Sequence, residues 1–105
     1  MRIAVTSPGN HLAEQDIEGI HRDLEKIDRR LNGNEDASAQ VRVAETQGPV
    51  QGYHVTVEVD YRRTHLRANA DDPDLHVAVR HARDELLRQI NDRSRRGHSW
   101  FTKHR

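Results

Sequence analysis

The chain has 105 residues, of which 33% are hydrophobic and 32% charged, and it contains no cysteine. That length and apolar content suffice for one core and not two, and the missing thiols exclude a disulfide framework and thiolate zinc sites, in keeping with a reducing compartment. A formal net charge of zero conceals a division, because residues 1–75 carry 9 basic and 14 acidic side chains whereas residues 76–105 carry 8 and 3, a balance of −5 against +5.

Taken in order, Arg2–Thr6 alternates Ile3 and Val5 with Arg2, Ala4 and Thr6, the pattern of a half-buried strand that Ser7-Pro8-Gly9-Asn10 ends. Leu12, Ile17, Ile20, Leu24, Ile27 and Leu31 then recur mostly at spacings of three and four, one apolar stripe along a helix that Gly19 weakens locally. Asn32-Gly33-Asn34 supplies residues tolerant of the left-handed conformation that closes a helix, and a polar loop follows. A strand over residues 39–45 places Ala39, Val41 and Val43 on one face. The next is the clearest: Tyr53, Val55, Val57, Val59 and Tyr61 alternate strictly with His54, Thr56, Glu58 and Asp60. After a connection at Arg62-Arg63, which lacks the glycine of a tight turn and reads as an ordinary loop, Leu66, Ala68 and Ala70 alternate with His65, Arg67 and Asn69. Asp72-Pro73-Asp74 opens a second helix, with Asp72 as the cap and Pro73 in the first turn. Leu75, Ala78, Val79, Ala82, Leu86 and Ile90 form its buried stripe, with Arg80, Arg83, Arg88 and Arg93 off it. Beyond Asp92 the pattern dissolves into a basic tail, so the expected division is one α+β domain over residues 1–93 and a tail over 94–105. Trp100 and Phe101 in that tail are expected to fold back on the core.

The order β-α-β-β-β-α is expected to give a four-stranded mixed sheet with both helices packed on its single apolar face and a right-handed crossover from the first strand. Its outward face bears Gln40, Arg42, His54, Thr56, Glu58, His65, Arg67 and Asn69, without the aromatics on which bases stack. Tyr53 and Tyr61 share the parity of the buried valines and belong at the rim of the core. No apolar run is long enough for a leader or a membrane span, so a soluble cytoplasmic protein is expected.

Chemistry is harder to find. His76 and His81 are five apart and His98 and His104 six apart, spacings that stack no two imidazoles on one helical face; His54 and His65 are expected near each other across the hairpin, a chance metal site at best. The serines lack a nucleophile elbow, the glycines are isolated, and so thin a core leaves little room for a ligand pocket. Neither an enzyme nor a cofactor, metal or small-molecule substrate is expected. Basic residues remain: Arg22, Lys26, Arg29 and Arg30 late in the first helix, and Arg80, Arg83, Arg88, Arg93, Arg95 and Arg96 along the second. Arg accounts for 15 of the 17 basic residues, and its planar fork suits phosphate oxygens. The competing reading is a set of solvated faces neutralised by neighbours such as Glu18 for Arg22 and Asp92 for Arg88.

The stretch Leu66-Arg67-Ala68-Asn69-Ala70-Asp71-Asp72-Pro73-Asp74-Leu75-His76-Val77-Ala78-Val79 resembles the passage from last strand to final helix in the hibernation-promoting factors and ribosome-associated inhibitors of the sigma-54 modulation protein family. Ala82-Arg83-Asp84-Glu85-Leu86-Leu87-Arg88-Gln89-Ile90 is similar to that helix, and Ile3-Ala4-Val5-Thr6 and Asp23-Leu24-Glu25-Lys26-Ile27 to the family's opening strand and helix. The resemblance implies a short-form, monomeric, ribosome-associated translation inhibitor that binds ribosomal RNA in the decoding region of the small subunit under stress. It places Lys26, Arg29, Arg30, Arg80, Arg83, Arg88, Arg93, Arg95 and Arg96 on phosphates. One departure stands out: Glu14, Asp16, Glu18, Asp23, Glu25 and Asp28 make the first helix acidic where the family's short members are richer in lysine. The alternative is a relative without ribosome binding that engages a protein partner through its open sheet face or tail.

Overall fold

The computed structural model describes residues 1–7, 12–32, 36–46, 49 and 51–103, the side chains of residues 94–103 excepted. Its elements run β1 (Arg2–Thr6), α1 (Glu14–Arg30), β2 (Ser38–Thr46), β3 (Gly52–Tyr61), β4 (Thr64–Asp72) and α2 (Leu75–Lys103). The strands form one sheet in the order β1-β2-β3-β4, with β1 parallel to β2 and the other neighbours antiparallel. This is the expected α+β arrangement with a mixed sheet.

Register follows from which residues are buried. Ala39, Val59 and Leu66 form one cross-strand row and Val41, Val57 and Ala68 the next, all in the core. A slip of one residue would turn every one of them to water. On the opposite face the rows are polar: Gln40, Glu58 and Arg67, then Arg42, Thr56 and Asn69. Ile20, Leu24 and Ile27 of α1 and Ala78, Val79, Ala82 and Leu86 of α2 have no exposed surface and close the core from the other side, each large side chain contributing about 1.5–3 kcal/mol by burial. Tyr53 and Tyr61 pack against that core at its rim. The terminal ammonium of Met1 lies 3.3 Å from Asp28 Oδ1, tying β1 to α1.

Three local features differ from the sequence reading. The cap of α2 is Asp74, whose carboxylate accepts the amides of His76 at 2.9 Å and Val77 at 3.3 Å, while Asp72 accepts only the amide of Asp74 at 2.8 Å. Pro73 disfavours helical backbone at Asp72, which therefore remains the last residue of β4, and the proline precedes the cap rather than following it. Second, α2 continues to Lys103, past the end of its buried stripe at Ile90. No proline interrupts that stretch and arginine is a good helix former, so a helix persists where apolar periodicity is lost. Trp100 and Phe101 are helical, and their side chains lie outside the described residues.

Third, β3 and β4 are joined by a two-residue turn between Tyr61 and its partner Thr64, with Arg62 at φ 46° and Arg63 at φ 64°. Positive φ at both central residues is the mark of the hairpin turn that matches strand twist, and it favours Asn or Gly. Two arginines occupy it here. Asn32, at φ 59°, supplies the left-handed residue expected after α1, and residues 33–35 lie outside the described residues.

Candidate nucleic-acid interface

The helices run parallel, side by side, and three contacts join them at nearly constant spacing. Asp16 meets His76 at 3.2 Å, Asp23 meets Arg83, and Arg30 Nε donates to Asn91 Oδ1 at 2.8 Å. Steps of seven residues along α1, and of seven and then eight along α2, are about two helical turns, which keeps successive pairs on one seam. Gly19 lets the first pair form, because a Cβ there would stand 2.7 Å from His76 Cε1.

Of the nine cations assigned to phosphate, two are committed within the protein. Arg83 is 8% exposed rather than off the buried stripe. Its Nε and Nη2 each lie 2.9 Å from Asp84 Oδ1, and Nη1 reaches the Asp23 carbonyl at 3.4 Å and the Asp23 carboxylate at 3.9 Å. The guanidinium sits on the seam between the helices because its long stem covers apolar surface there. Arg88 lies on the outer surface, paired with Glu85 through Nε at 2.9 Å and with Asp92 at 2.8 Å. That hydrogen bond holds the Glu85 carboxyl below its ordinary range, and Glu85 in turn raises the affinity of Arg88 for its proton.

The others are more available. Arg80 is exposed and spends Nε on the His76 carbonyl at 3.1 Å. Arg29, 74% exposed, lies 4.0 Å from Glu25, a separation at which a surface pair holds little energy. Lys26 and Arg93 are exposed, with no carboxylate at ion-pair distance among the described residues. The side chains of Arg95 and Arg96 lie outside the described residues.

Parallel helices give the molecule a charge gradient. The N-termini of both share one end with Glu14, Asp16, Glu18, Asp72 and Asp74, where carboxylates complement the positive ends of the helix dipoles. The other end gathers Lys26, Arg29 and Arg30 from α1, Arg93 from α2, and Arg62 of the β3–β4 turn. Here a half-open cleft of about 250 Å³ is lined by Arg30, Leu31, Asn32, Tyr61, Arg62, Ile90 and Arg93. Sequence reasoning did not assign Arg62 to the site. The signal was present, since a two-residue gap between strict alternations demands Asn-Gly chemistry and holds Arg-Arg.

The outward sheet face is a hydrogen-bonded polar lattice. His54 Nδ1 lies 2.6 Å from Asp71 and His65 Nδ1 2.7 Å from Asp60, at opposite ends of β3, so the two histidines do not meet as expected. The antiparallel register pairs each with a carboxylate instead. Thr56, His54 and Asp71 follow the order hydroxyl, imidazole, carboxylate, yet the Thr56 hydroxyl donates to Asn69 at 2.8 Å and stands 3.5 Å from His54 Nε2. Its proton is directed away from the imidazole, which leaves no activated nucleophile. Among the described residues no three His, Asp or Glu side chains converge as metal ligands, and no helix is long and apolar enough to cross a membrane.

The profile of the family described as Sigma 54 modulation protein / S30EA ribosomal protein matches residues 3–98. The chain belongs to this family. The match of this S30EA-family chain takes in α1, the β3–β4 turn and α2 as far as residue 98, and hence Lys26, Arg29, Arg30, Arg62 and Arg93. The family is one of ribosome-associated modulation proteins and is not known as a family of enzymes. Its fold is shared with the N-terminal domain of Protein Y from Thermus thermophilus, 20% identical with a TM-score of 0.73 over 86% of this chain and 96% of that one. A ribosomal subunit interface protein from Coxiella burnetii is 16% identical, with a TM-score of 0.74 over 90% and 98% of the two chains. No curated protein sequence matches the chain significantly.

Proposed function

We propose that this S30EA-family chain is a cytoplasmic translation inhibitor that acts as a monomer under stress, binding ribosomal RNA in the decoding region of the small subunit and carrying out no chemistry. The observation that carries the reading is the gathering of Lys26, Arg29, Arg30 and Arg93 toward one end of two parallel helices, with Glu14, Asp16 and Glu18 of α1 and the Asp74 cap of α2 at the other. Arg80 lies along the same helix pair, and Arg95 and Arg96 continue α2 beyond it. Arg88 joins these phosphate contacts by exchanging Glu85 and Asp92 for phosphate oxygens. Arg83 supports the surface from within. Exposed cations over a rigid helix pair suit the shape and backbone recognition by which folded RNA is bound.

Co-sedimentation of the purified protein with small ribosomal subunits over about 50–200 mM salt tests this. Phosphate contacts predict an apparent affinity that falls by orders of magnitude across that range, because each contact releases counterions. Absence of binding at low salt refutes the reading. A second reading, in which the chain engages a protein partner, draws support from the neutralised Arg83 and Arg88 and from the acidic exposed residues Glu14, Glu18 and Glu25. Binding to subunits that is insensitive to salt supports that alternative.

A further inference from the structure

We infer that the cleft between the end of α1, the middle of α2 and the β3–β4 turn is a clamp for a single RNA backbone phosphate, with Arg62 of the turn closing it against Arg30 and Arg93. This rests on the RNA-binding reading and adds to it a residue and a site.

Three observations converge. The first is the turn itself: left-handed backbone at Arg62 and Arg63 is unfavourable for a residue with a Cβ, and Asn or Gly would relieve it. Strained backbone of this kind clusters at ligand-binding sites, and here it sets Arg62 at the edge of the cleft. The second is convergence. Arginines from three separate elements, Arg30, Arg62 and Arg93, line one cleft of about 250 Å³, and no carboxylate residue is among those lining it. The third is preorganisation, because Arg30 is held through Nε by Asn91 at 2.8 Å, leaving both terminal nitrogens for an anion. Leu31, Ile90 and the half-buried Tyr61 give the cleft an apolar floor that strengthens charge interactions above it.

The last carbonyls of α1 oppose an anion here, but a helix end carries only about half a negative charge against three guanidinium groups. The cations prevail. The end of α2 does not add to that opposition, since the helix continues well past Arg93.

The test compares wild type, Arg62→Asn, Arg63→Gly, Arg93→Ala, the pair Arg62→Asn with Arg93→Ala, and the double variant Lys26→Ala with Arg29→Ala. Readouts are thermal melting and affinity for purified small ribosomal subunits at several salt concentrations. Arg63→Gly is expected to raise the melting temperature by roughly 4–8 °C and keep its affinity, since it relaxes the turn without entering the cleft. Arg62→Asn keeps a residue that tolerates left-handed backbone, so it melts no lower than wild type, but it binds about tenfold more weakly and lowers the salt slope by about one. The losses from Arg62→Asn and Arg93→Ala combine to less than their sum, as expected of groups sharing one phosphate. Wild-type affinity and slope in Arg62→Asn, with binding lost in the Lys26 and Arg29 variant, overturns the clamp and leaves the RNA-binding reading standing. Strictly additive losses overturn the shared phosphate. No binding by wild type at low salt overturns both.

Discussion

Replacing Arg83 by Ala and, separately, by Met distinguishes a residue that touches RNA from one that holds two helices together. Ala removes two buried methylenes, about 1.6 kcal/mol at about 0.8 kcal/mol each, together with the hydrogen bond to the Asp23 carbonyl, for a loss of about 2–3 kcal/mol. For a domain of this size that lowers the melting temperature by roughly 10–20 °C. Met keeps the stem and removes the charge. Asp84 is 60% exposed and Asp23 22%, so water solvates both carboxylates once the guanidinium is gone, and the loss of these partly exposed pairs costs about 1 kcal/mol or less while the apolar stem is kept. Urea denaturation followed by circular dichroism measures the stability of both variants, and sedimentation with small subunits measures binding by Arg83→Met. The expected outcome is near wild-type stability and an affinity within about twofold of wild type. An Arg83→Met protein that folds normally but binds tenfold more weakly refutes the reasoning, because Arg83 must then leave the seam to contact RNA.

Two further outcomes follow from the seam and from the outer face of α2. In Gly19→Ala the new Cβ displaces the His76 ring from Asp16; the helix gains about 1 kcal/mol in propensity and loses a partly exposed pair worth at most about that much, so stability by urea titration lies between that of wild type and about 1 kcal/mol above it, and a loss above about 1 kcal/mol shows that the backbone itself is obstructed. Glu85, held below its ordinary range by the Arg88 hydrogen bond and secondarily by Gln89, has a depressed folded-state pKa. The stabilisation is therefore present above the unfolded-state value and lost as pH falls through the folded one. NMR titration of Arg88→Ala is expected to return the Glu85 carboxyl toward its ordinary value; an unchanged titration removes Arg88 as the cause.

Much of the fold was legible because burial imposes periods on the sequence. Val55, Val57 and Val59 alternate since only one face of β3 meets the helices, and Ile20, Leu24 and Ile27 recur at helical spacing since only one stripe of α1 does. The basic end was half legible. Lys26, Arg29 and Arg30 cluster in sequence, whereas their neighbourhood with Arg62 and Arg93 depends on the parallel packing of α1 and α2, which no local pattern encodes. Arg83 was misread for a related reason: a charged residue beside a buried stripe counts as exposed until the partner helix is known to cover it. The cap of α2 moved by two residues because both Asp72 and Asp74 have capping chemistry, and only the backbone path through Pro73 chooses between them.

The acidic character of α1 has a physical place in this arrangement. Glu14 and Asp16 occupy its first turn and Arg29 and Arg30 its last, so the helix charges oppose its own dipole at both ends. Because α2 lies parallel, with Asp74 at its start and Arg93 far along it, the second helix reinforces the same gradient instead of cancelling it. An antiparallel partner would have set acid beside base and left both ends of the pair nearly neutral. A polyanion approaching this chain therefore meets no net charge beyond a screening length of about 8–10 Å, and within that distance an attractive end and a repulsive one. Such a field adds little to affinity at long range and selects orientation at short range. Neutralising Glu14 and Glu18 should thus strengthen binding to RNA weakly and from the wrong end, leaving the contribution of Arg62 unchanged.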